Sequence, residues 1–181
     1  MKKAVFLDRD GVIKKAIVKN GLPTPPNLLD ELKILPGVKE SILKLKKLNF
    51  VCIIVTNQPD VSRGKINKNT VIKINNFLKK KIKLDDIFVC YHDDKDNCNC
   101  RKPKPGLLLQ ACKKWNVDFK KSFMIGDRWK DIQAGENVGC KTIYLDYSYK
   151  GIKPKNPDYI TDTLLNATYI IEKIYNRKLK Q

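Results

Sequence analysis

The sequence has no long apolar run: none of its 181 residues lies in a stretch that approaches the ~18 apolar residues of a membrane helix. We therefore expect no membrane-spanning segment. The basic start, Lys2 and Lys3, is followed by a short apolar run at 4–7, which Asp8 ends well before the length of a secretory signal. These features together predict a cytoplasmic protein.

Histidine is almost absent, since His92 is the single one in the chain. Catalytic triads need an imidazole as general base, and histidine-nucleophile or multi-histidine metallophosphatases need several. Each of these mechanisms loses its base if His92 is engaged elsewhere. We therefore expect the chemistry to depend on other side chains.

Acidic residues are few compared with basic ones. Asp and Glu number 19 against 37 for Lys and Arg, which gives a net charge of +18. This excess would favour anionic partners such as phosphates, nucleic acids or acidic membranes. However, only five of the basic residues are arginines, and the lysines are spread along the chain rather than clustered with aromatic residues. We favour solvated helix faces as the explanation, with nucleic acid as the less favoured partner.

Short apolar segments alternate with stretches of helical periodicity. Apolar residues repeat at helical spacing after Pro36-Gly37 and after Pro105-Gly106. The predicted strands, short and rich in β-branched residues, are 4–7, 50–55, 87–90, 123–125 and 142–145. This alternation predicts an α/β fold with a doubly wound, Rossmann-like and mainly parallel sheet, formed by one domain over 1–181.

Polar clusters follow the predicted strands, where ligands bind in such sheets. The clusters are Asp8-Arg9-Asp10-Gly11, Thr56-Asn57-Gln58, and Gly126-Asp127 with Asp131. Each cluster alone is more simply explained as a helix cap or turn. Their recurrence after successive strands instead favours a shared site, in which one carboxylate acts as nucleophile and the other as proton donor around a cation.

These residues, in this order and together with Lys102, resemble the four motifs of the haloacid-dehalogenase phosphohydrolases over about residues 4 to 146. The resemblance implies that Asp8 is the nucleophile, and that Asp10 is the general acid and then the general base. It implies that Thr56 and Lys102 hold the phosphoryl group, with Asn57 beside them. Mg²⁺ would be bound by Asp8, the Asp10 backbone carbonyl and Asp127, with Asp131 behind them. The chemistry requires such a set, because a carboxylate attacking an anionic phosphate needs a hard cation to offset repulsion.

A second candidate metal site lies in the segment 90–100. Cys90, His92, Cys98 and Cys100 supply three thiolates and one imidazole, the composition of a closed structural zinc site. Disulfides are disfavoured in a reducing cytoplasm, and chance proximity is the remaining alternative. We therefore predict a zinc-bound loop that directs Arg101 and Lys102 at the site. No histidine then remains for catalysis, which suits an aspartate mechanism.

The segment 98–106 narrows the resemblance to the zinc-containing subgroup of D-glycero-D-manno-heptose 1,7-bisphosphate phosphatases and histidinol-phosphate phosphatases. The short gap in the zinc loop is similar to both, whereas Arg63-Gly64 and Pro105-Gly106 look more like the heptose enzymes. This implies that Arg63 and Arg101 contact substrate and that Arg128 lies beside the metal and phosphate. The segment 14–35 departs from the sugar-contacting loop of the heptose enzymes.

The resemblance implies a fold without a separate cap domain, so specificity would come from the loops 14–35 and 58–64 and from the zinc loop. We expect a monomeric Mg²⁺-dependent phosphatase with a structural zinc, acting on a small phosphorylated substrate, a sugar bisphosphate. The leading activity is removal of the 7-phosphate of a heptose 1,7-bisphosphate. The alternatives are a histidinol-phosphate phosphatase and a zinc-stabilised nucleic-acid-binding module or nucleic-acid end phosphatase.

Overall fold

The computed structural model describes residues 1–19, 22–24 and 32–178. Residues 20–21, 25–31 and 179–181 lie outside the described part of the chain. Part of the predicted specificity loop at 14–35 therefore falls there. The same holds for half of the proline-rich stretch 22–27, which the sequence predicts to be a surface loop, and for the end of the tail 175–181, predicted to be a frayed helix end. Within the loop, the described residues form a short antiparallel hairpin.

The described residues form eight strands, five α-helices and two single-turn 3₁₀ helices at Asp94–Asp96 and Phe119–Lys121. The strands are β1 (Lys3–Leu7), β2 (Ile17–Lys19), β3 (Leu22–Thr24), β4 (Phe50–Asn57), β5 (Asp86–Cys90), β6 (Phe123–Gly126), β7 (Lys141–Leu145) and β8 (Tyr159–Thr161). The helices are α1 (Val38–Lys47), α2 (Lys68–Lys81), α3 (Gly106–Trp115), α4 (Trp129–Glu136) and α5 (Leu164–Lys178). The five predicted strands are all present.

Six of the strands form one parallel sheet in the order β5-β4-β1-β6-β7-β8. Strand β1 lies between β4 and β6, and its last residue, Leu7, is in register with Ile54 on one side and Ile125 on the other. The carboxyl ends of these three central strands therefore meet at one edge of the sheet. The predicted doubly wound parallel fold is confirmed.

Side chains of β1 alternate between two apolar layers, as a strand buried on both faces requires. Val5 and Leu7 belong to a cluster that includes residues of α1, α2 and α5. Ala4 and Phe6 point to the opposite layer, against α3 and α4. All four are fully buried, and full burial of one large apolar side chain stabilises the fold by about 1.5–3 kcal/mol. The sheet thus forms a rigid floor for whatever lies at its edge.

The connection between β1 and β4 is where a cap domain would be inserted. Its described residues form only the β2–β3 hairpin and α1. Backbone hydrogen bonds join Lys15 to Lys33 and Leu35 to Ile13, so the two ends of this connection lie together. The edge of the sheet therefore has no folded cap above it among the described residues. In the part of the chain that the structure describes, no helix has both the length and the apolar composition needed to cross a membrane.

Candidate active site

Four of the predicted site residues come together in a buried group at the carboxyl edge of the central strands. Asp8 follows β1, Thr56 lies at the end of β4, and Asp127 follows β6, and these residues are at most 8% exposed. Lys102 comes from the loop before α3 and is 1% exposed. Parallel strands explain the meeting of the first three, because their carboxyl ends lie at the same edge.

Lys102 is the centre of this group. Its Nζ donates to Asp8 Oδ1 at 2.8 Å and to the Val55 carbonyl at 2.7 Å, and it pairs with Asp131 Oδ1 at 2.6 Å. Burial alone would lower the pKa of this amine, but the two carboxylates prevail and raise it. The ammonium is therefore charged and held at the point where Asp8 would meet an anionic ligand.

Asn57 holds the backbone of Lys102 in place. Its Nδ2 donates to the Lys102 carbonyl at 3.0 Å, and its Oδ1 accepts from the Lys102 backbone N–H at 3.1 Å. Asn57 also lines the cavity beside Asp8. Its contact with phosphate stays a prediction, whereas the structure shows it clamping the loop that carries the lysine.

Asp10 lies in an environment opposite to that of Asp8. Its Oδ1 pairs with the Lys14 Nζ at 2.8 Å, and its Oδ2 accepts from Arg9 Nη2 at 3.0 Å and Gln58 Nε2 at 2.8 Å. Burial raises the pKa of Asp10, but the two cations and these hydrogen bonds outweigh it and lower the pKa to about 2. For Asp8, burial is the dominant influence and raises the pKa to about 6 despite Lys102. Two carboxylates of one motif thus lie in opposite electrostatic environments.

The network around Asp10 extends into the protein and was missed by sequence reasoning. Arg9 is 1% exposed, and its Nη1 donates to Asn75 of α2 at 2.9 Å while its Nη2 donates to Gln58 Oε1 at 2.6 Å. Gln58 also donates to the Thr56 hydroxyl at 2.9 Å, which links the two predicted halves of the site. The position of Arg9 between two aspartates was the available signal. Nothing in the spacing of Asn75 indicates its role.

Asp127 is the residue that most clearly lacks a partner among the described residues. Both of its carboxylate oxygens are buried without a hydrogen bond, and burial followed by the charges of Asp8 and Asp131 raises its pKa. Carboxylate oxygens of Asp8, Asp127 and Asp131 lie within 4.8 Å of one another. Buried anions crowded in this way are costly unless a cation neutralises them. The group therefore fits a hard divalent cation with oxygen ligands.

Gly11 and Gly126 leave the space for these carboxylates. A Cβ on Gly11, which has φ +94°, would lie 2.1 Å from Asp127 Oδ2. A Cβ on Gly126 would lie 2.1 Å from the Asp131 Cβ. Any side chain at either position would displace an aspartate, so the two glycines define the shape of the acidic group.

Asp131 and Arg128 form the start of α4. The backbone N–H of Arg128 donates to Asp131 Oδ2 at 3.1 Å, while Oδ1 of Asp131 pairs with Lys102. Both oxygens of Asp131 are therefore engaged by protein groups, in contrast to those of Asp127. This arrangement fits the predicted position of Asp131 behind the metal ligands.

The predicted cysteine and histidine cluster is also assembled. The Sγ atom of Cys100 lies 3.1 Å from Cys90 Sγ, 3.5 Å from Cys98 Sγ and 3.3 Å from His92 Nδ1. Cys90 Sγ lies 3.6 Å from both His92 Nδ1 and Cys98 Sγ. Ligand atoms of a tetrahedral zinc site, with Zn–S near 2.3 Å, are separated by about 3.8 Å. The four free side chains thus fit a closed tetrahedral site with thiolate and imidazole ligands.

A cavity of about 400 Å³ opens above the buried group. Its walls include the predicted residues Asp8, Asp10, Asn57, Arg63, Arg101, Lys102, Arg128 and Asp131. Lys65 and Lys130 also line it and were not predicted. The cavity is therefore acidic at its floor and basic at its mouth, which suits a cation below and an anionic substrate above.

The fold and this strand-end group define a hydrolase of the haloacid dehalogenase class. The chain belongs to that family: the family model described as haloacid dehalogenase-like hydrolase matches residues 24–139. It is 31% identical to the D-glycero-beta-D-manno-heptose-1,7-bisphosphate 7-phosphatase of Pasteurella multocida (strain Pm70), over 95% of this chain and 98% of the relative. Identity to the Vibrio cholerae (serotype O1) protein of that name is 35%, over 80% of this chain and 81% of the relative.

Solved structures agree with this assignment. A D,D-heptose 1.7-bisphosphate phosphatase from B. bronchiseptica, complexed with magnesium and phosphate, superimposes with a TM-score of 0.81. It is 25% identical and the match covers 94% of this chain and 98% of that one. The predicted family and the predicted phosphatase class are confirmed.

Proposed function

We propose that this chain removes the 7-phosphate of D-glycero-β-D-manno-heptose 1,7-bisphosphate with the help of Mg²⁺. The observation that carries the proposal is the contact of Lys102 with Asp8 at 2.8 Å and with Asp131 at 2.6 Å, at the floor of a cavity whose mouth is basic. The heptose specificity is supported by relatives that span nearly the whole chain.

In the first step, a carboxylate oxygen of Asp8 attacks the phosphorus of the 7-phosphate. A new O–P bond forms, the bond from phosphorus to the sugar oxygen breaks, and Asp10 gives its proton to that leaving oxygen. Lys102 and the Thr56 hydroxyl hold the equatorial oxygens of the transferring group. Gln58 fixes the side chains of Asp10 and Thr56 relative to each other, because its amide donates a hydrogen bond to each of them.

In the second step, Asp10 takes a proton from a water molecule, whose oxygen attacks the phosphorus of the aspartyl phosphate. The bond between phosphorus and Asp8 breaks, which restores the Asp8 carboxylate and releases inorganic phosphate. The ionised state that Arg9 and Lys14 favour for Asp10 suits it as the base of this step, and the proton that it takes from water is the one that it gives to the leaving oxygen of the next substrate. One residue thus serves as acid and then as base, and the two proton transfers balance.

The residues that would hold Mg²⁺ are Asp8, Asp127 and the backbone carbonyl of Asp10, with Asp131 outside the inner ring. When bound, the ion offsets the repulsion between the Asp8 carboxylate and the phosphate. The unpaired oxygens of Asp127 support this assignment, because no protein group among the described residues satisfies them.

The residues that would hold Zn²⁺ are Cys90, His92, Cys98 and Cys100. We assign the ion a structural role, since four protein ligands leave no open position. The ion fixes the loop that ends at Cys100, directly before Arg101 and Lys102. A reducing compartment such as the cytoplasm keeps such thiols free for metal.

We assign the distal parts of the substrate to Arg63, Arg101 and Arg128 at the mouth of the cavity. The proposed catalytic residues lie around the carboxyl edge of one sheet, which supports a single domain over 1–181, and we propose that it acts as a monomer. No membrane or nucleic-acid partner is needed for this function.

A phosphate-release comparison tests the proposal. The substrates are the β- and α-anomers of the heptose 1,7-bisphosphate, histidinol phosphate and a 3′-phosphorylated oligonucleotide. We expect the β-anomer to be hydrolysed with a kcat/KM at least ~10²-fold above the last two, and ³¹P spectroscopy to show that the 1-phosphate remains. A preference for histidinol phosphate or the oligonucleotide would overturn the heptose assignment.

A further inference from the structure

A short acidic turn lies between two of the candidate zinc ligands, His92 and Cys98. The backbone N–H of Asp93 donates to Asp96 Oδ2 at 2.7 Å, and that of Asp94 donates to Asp93 Oδ1 at 2.8 Å. These bonds close a capping box around the 3₁₀ turn. The carboxylates of Asp93 and Asp96 are therefore held by the turn, and Asp94 follows Asp93 at its first residue.

Two of these carboxylates each hold one arginine of the cavity with two hydrogen bonds. Asp93 accepts from Arg63 Nε at 2.9 Å and from Arg63 Nη2 at 2.5 Å. Asp94 accepts from Arg101 Nε at 2.8 Å and from Arg101 Nη2 at 3.1 Å. Paired bonds of this kind fix the plane of a guanidinium as well as its distance. Neither aspartate lines the cavity.

The arginines keep donors for a ligand after these contacts. A guanidinium has five N–H groups. Beyond the two bonds to its aspartate, Arg63 makes one bond to Asp60 at 3.4 Å and Arg101 makes one to the His92 carbonyl at 3.3 Å. Two N–H groups of each arginine thus remain for an anion or hydroxyl in the cavity, and their directions are set in advance.

We propose that Asp93 and Asp94 are positioning residues that set substrate specificity, because they orient Arg63 and Arg101 toward the distal anionic group of the substrate. The inference rests on the proposed function and extends it to a pair of side chains that never touch the substrate. Orienting the arginines before binding removes the cost of ordering them when the ligand arrives. The turn between the zinc ligands therefore acts on recognition rather than on the chemical step.

The test compares Asp94→Asn with the wild type on two substrates. The amide keeps the shape of the carboxylate but loses its charge and one acceptor. For the heptose bisphosphate we expect KM to rise ~10-fold, with kcat within about twofold of wild type. For p-nitrophenyl phosphate, which has no distal anionic group, we expect kcat and KM to be unchanged. Asp93→Asn should give the same split through Arg63.

A double-mutant cycle with Arg101→Ala separates positioning from a merely structural role. Asp94 Oδ1 also accepts from the Nζ of Lys130 at 3.3 Å, so every member of the cycle carries Lys130→Ala. If Asp94 acts through Arg101, Asp94→Asn then adds no further loss in the Arg101→Ala background. Lys95→Gln, which changes the charge of an exposed residue in the same turn, is the matched control and should behave as wild type. Zinc content is measured in every variant and should stay equal.

Each other outcome overturns a defined part of the inference. Equal losses on both substrates, additive losses in the cycle, or loss of zinc would show that Asp94 only maintains the loop. An Asp94→Asn enzyme with wild-type KM for the bisphosphate would overturn the positioning role while leaving the proposed function intact. A wild-type enzyme that hydrolyses p-nitrophenyl phosphate but not the bisphosphate would overturn both.

Discussion

The acidic group at the strand ends and the cysteine and histidine loop are two candidate metal sites built in opposite ways. The first takes Asp8, Asp127 and Asp131 from two distant segments and buries all three. The second takes its four ligands from the eleven positions 90–100, with His92 exposed. The acidic group depends on the whole sheet to assemble, whereas the loop depends on local spacing.

This difference separates chemistry from recognition. The buried group keeps one carboxylate, Asp127, without a hydrogen-bond partner among the residues that the structure describes, and it confines the reacting groups to a rigid floor. The loop instead supplies the walls, since Arg101 and Lys102 follow its last ligand and Asp93 holds Arg63. Damage to the first region should therefore remove the reaction, and damage to the second should weaken or misdirect it.

The largest effect is expected from Asp8→Asn. The amide is nearly isosteric but cannot act as an anionic nucleophile, so kcat should fall by at least ~10⁴-fold without loss of the fold. Steady-state rates and circular dichroism measure the two quantities. Asp162→Asn, at an exposed aspartate far along the chain, is the matched control. Activity within tenfold of wild type, in protein cleared of contaminating phosphatase, would contradict the nucleophile assignment.

Treatment with a chelator should distinguish the acidic group from the cysteine and histidine loop. A site of few carboxylates and several waters binds Mg²⁺ loosely, so brief treatment with excess chelator should reduce activity below about 1%, and added Mg²⁺ should restore it. Elemental analysis of the same sample should still find about one zinc per chain, because four protein ligands enclose that ion. The comparison fails if zinc is absent from protein made in zinc-replete medium, or if activity is lost only together with zinc.

Cys98→Ser should have an intermediate effect. The sheet buries its apolar core without the loop, so the thermal midpoint should change little, while a shift of about 1 Å in Lys102 can lower kcat/KM by ~10²-fold. Cys112→Ser is the matched control, since Cys112 lies in α3 outside the quartet. Full activity in Cys98→Ser, or an unfolded protein at room temperature, would contradict the separation of the two regions.

The smallest effect is expected from Gln58→Ala. The variant loses the bonds to Asp10 and Thr56, each worth about 1 kcal/mol, so kcat should fall by roughly 30-fold. The loss should be greater for an alkyl phosphate, whose leaving oxygen needs the Asp10 proton, than for an aryl phosphate. Gln133→Ala, an exposed glutamine of α4, serves as control. Equal losses of kcat on both substrates would contradict the role of Gln58 in positioning Asp10 as general acid.

Much of the central sheet could be predicted because its strands are buried on both faces and therefore read as continuous apolar runs. Strand β4, predicted over 50–55, extends to Asn57, since the polar pair Thr56-Asn57 continues the backbone ladder with β5. Strand β8 carries the half-exposed sequence Tyr159–Thr161 at the sheet edge and shows no such run. Helix α2 has lysines and asparagines among its apolar residues, which hides its buried face.

The site was predictable in its residue types but not in its contacts. The order of the motifs predicted Asp8, Lys102 and Asp127 as site residues. No spacing reveals that Lys102 contacts Asp8, which lies 94 positions earlier in the chain. Lys14 reads as one more lysine of a basic chain, yet it is fully buried against Asp10. Such ion pairs depend on the crossing of distant segments, and a sequence pattern carries no signal for them.

The position of β5 has a consequence for how this protein could be altered. Strand β5 lies at the end of the sheet and is hydrogen-bonded on one side only, and its last residue, Cys90, is where the loop begins. The residues between His92 and Cys98 can thus be shortened, extended or exchanged while Lys102 keeps its contacts with Asp8 and with the Val55 carbonyl of β4. Substrate range can then be engineered in the loop at this edge of the sheet while the catalytic residues stay unchanged.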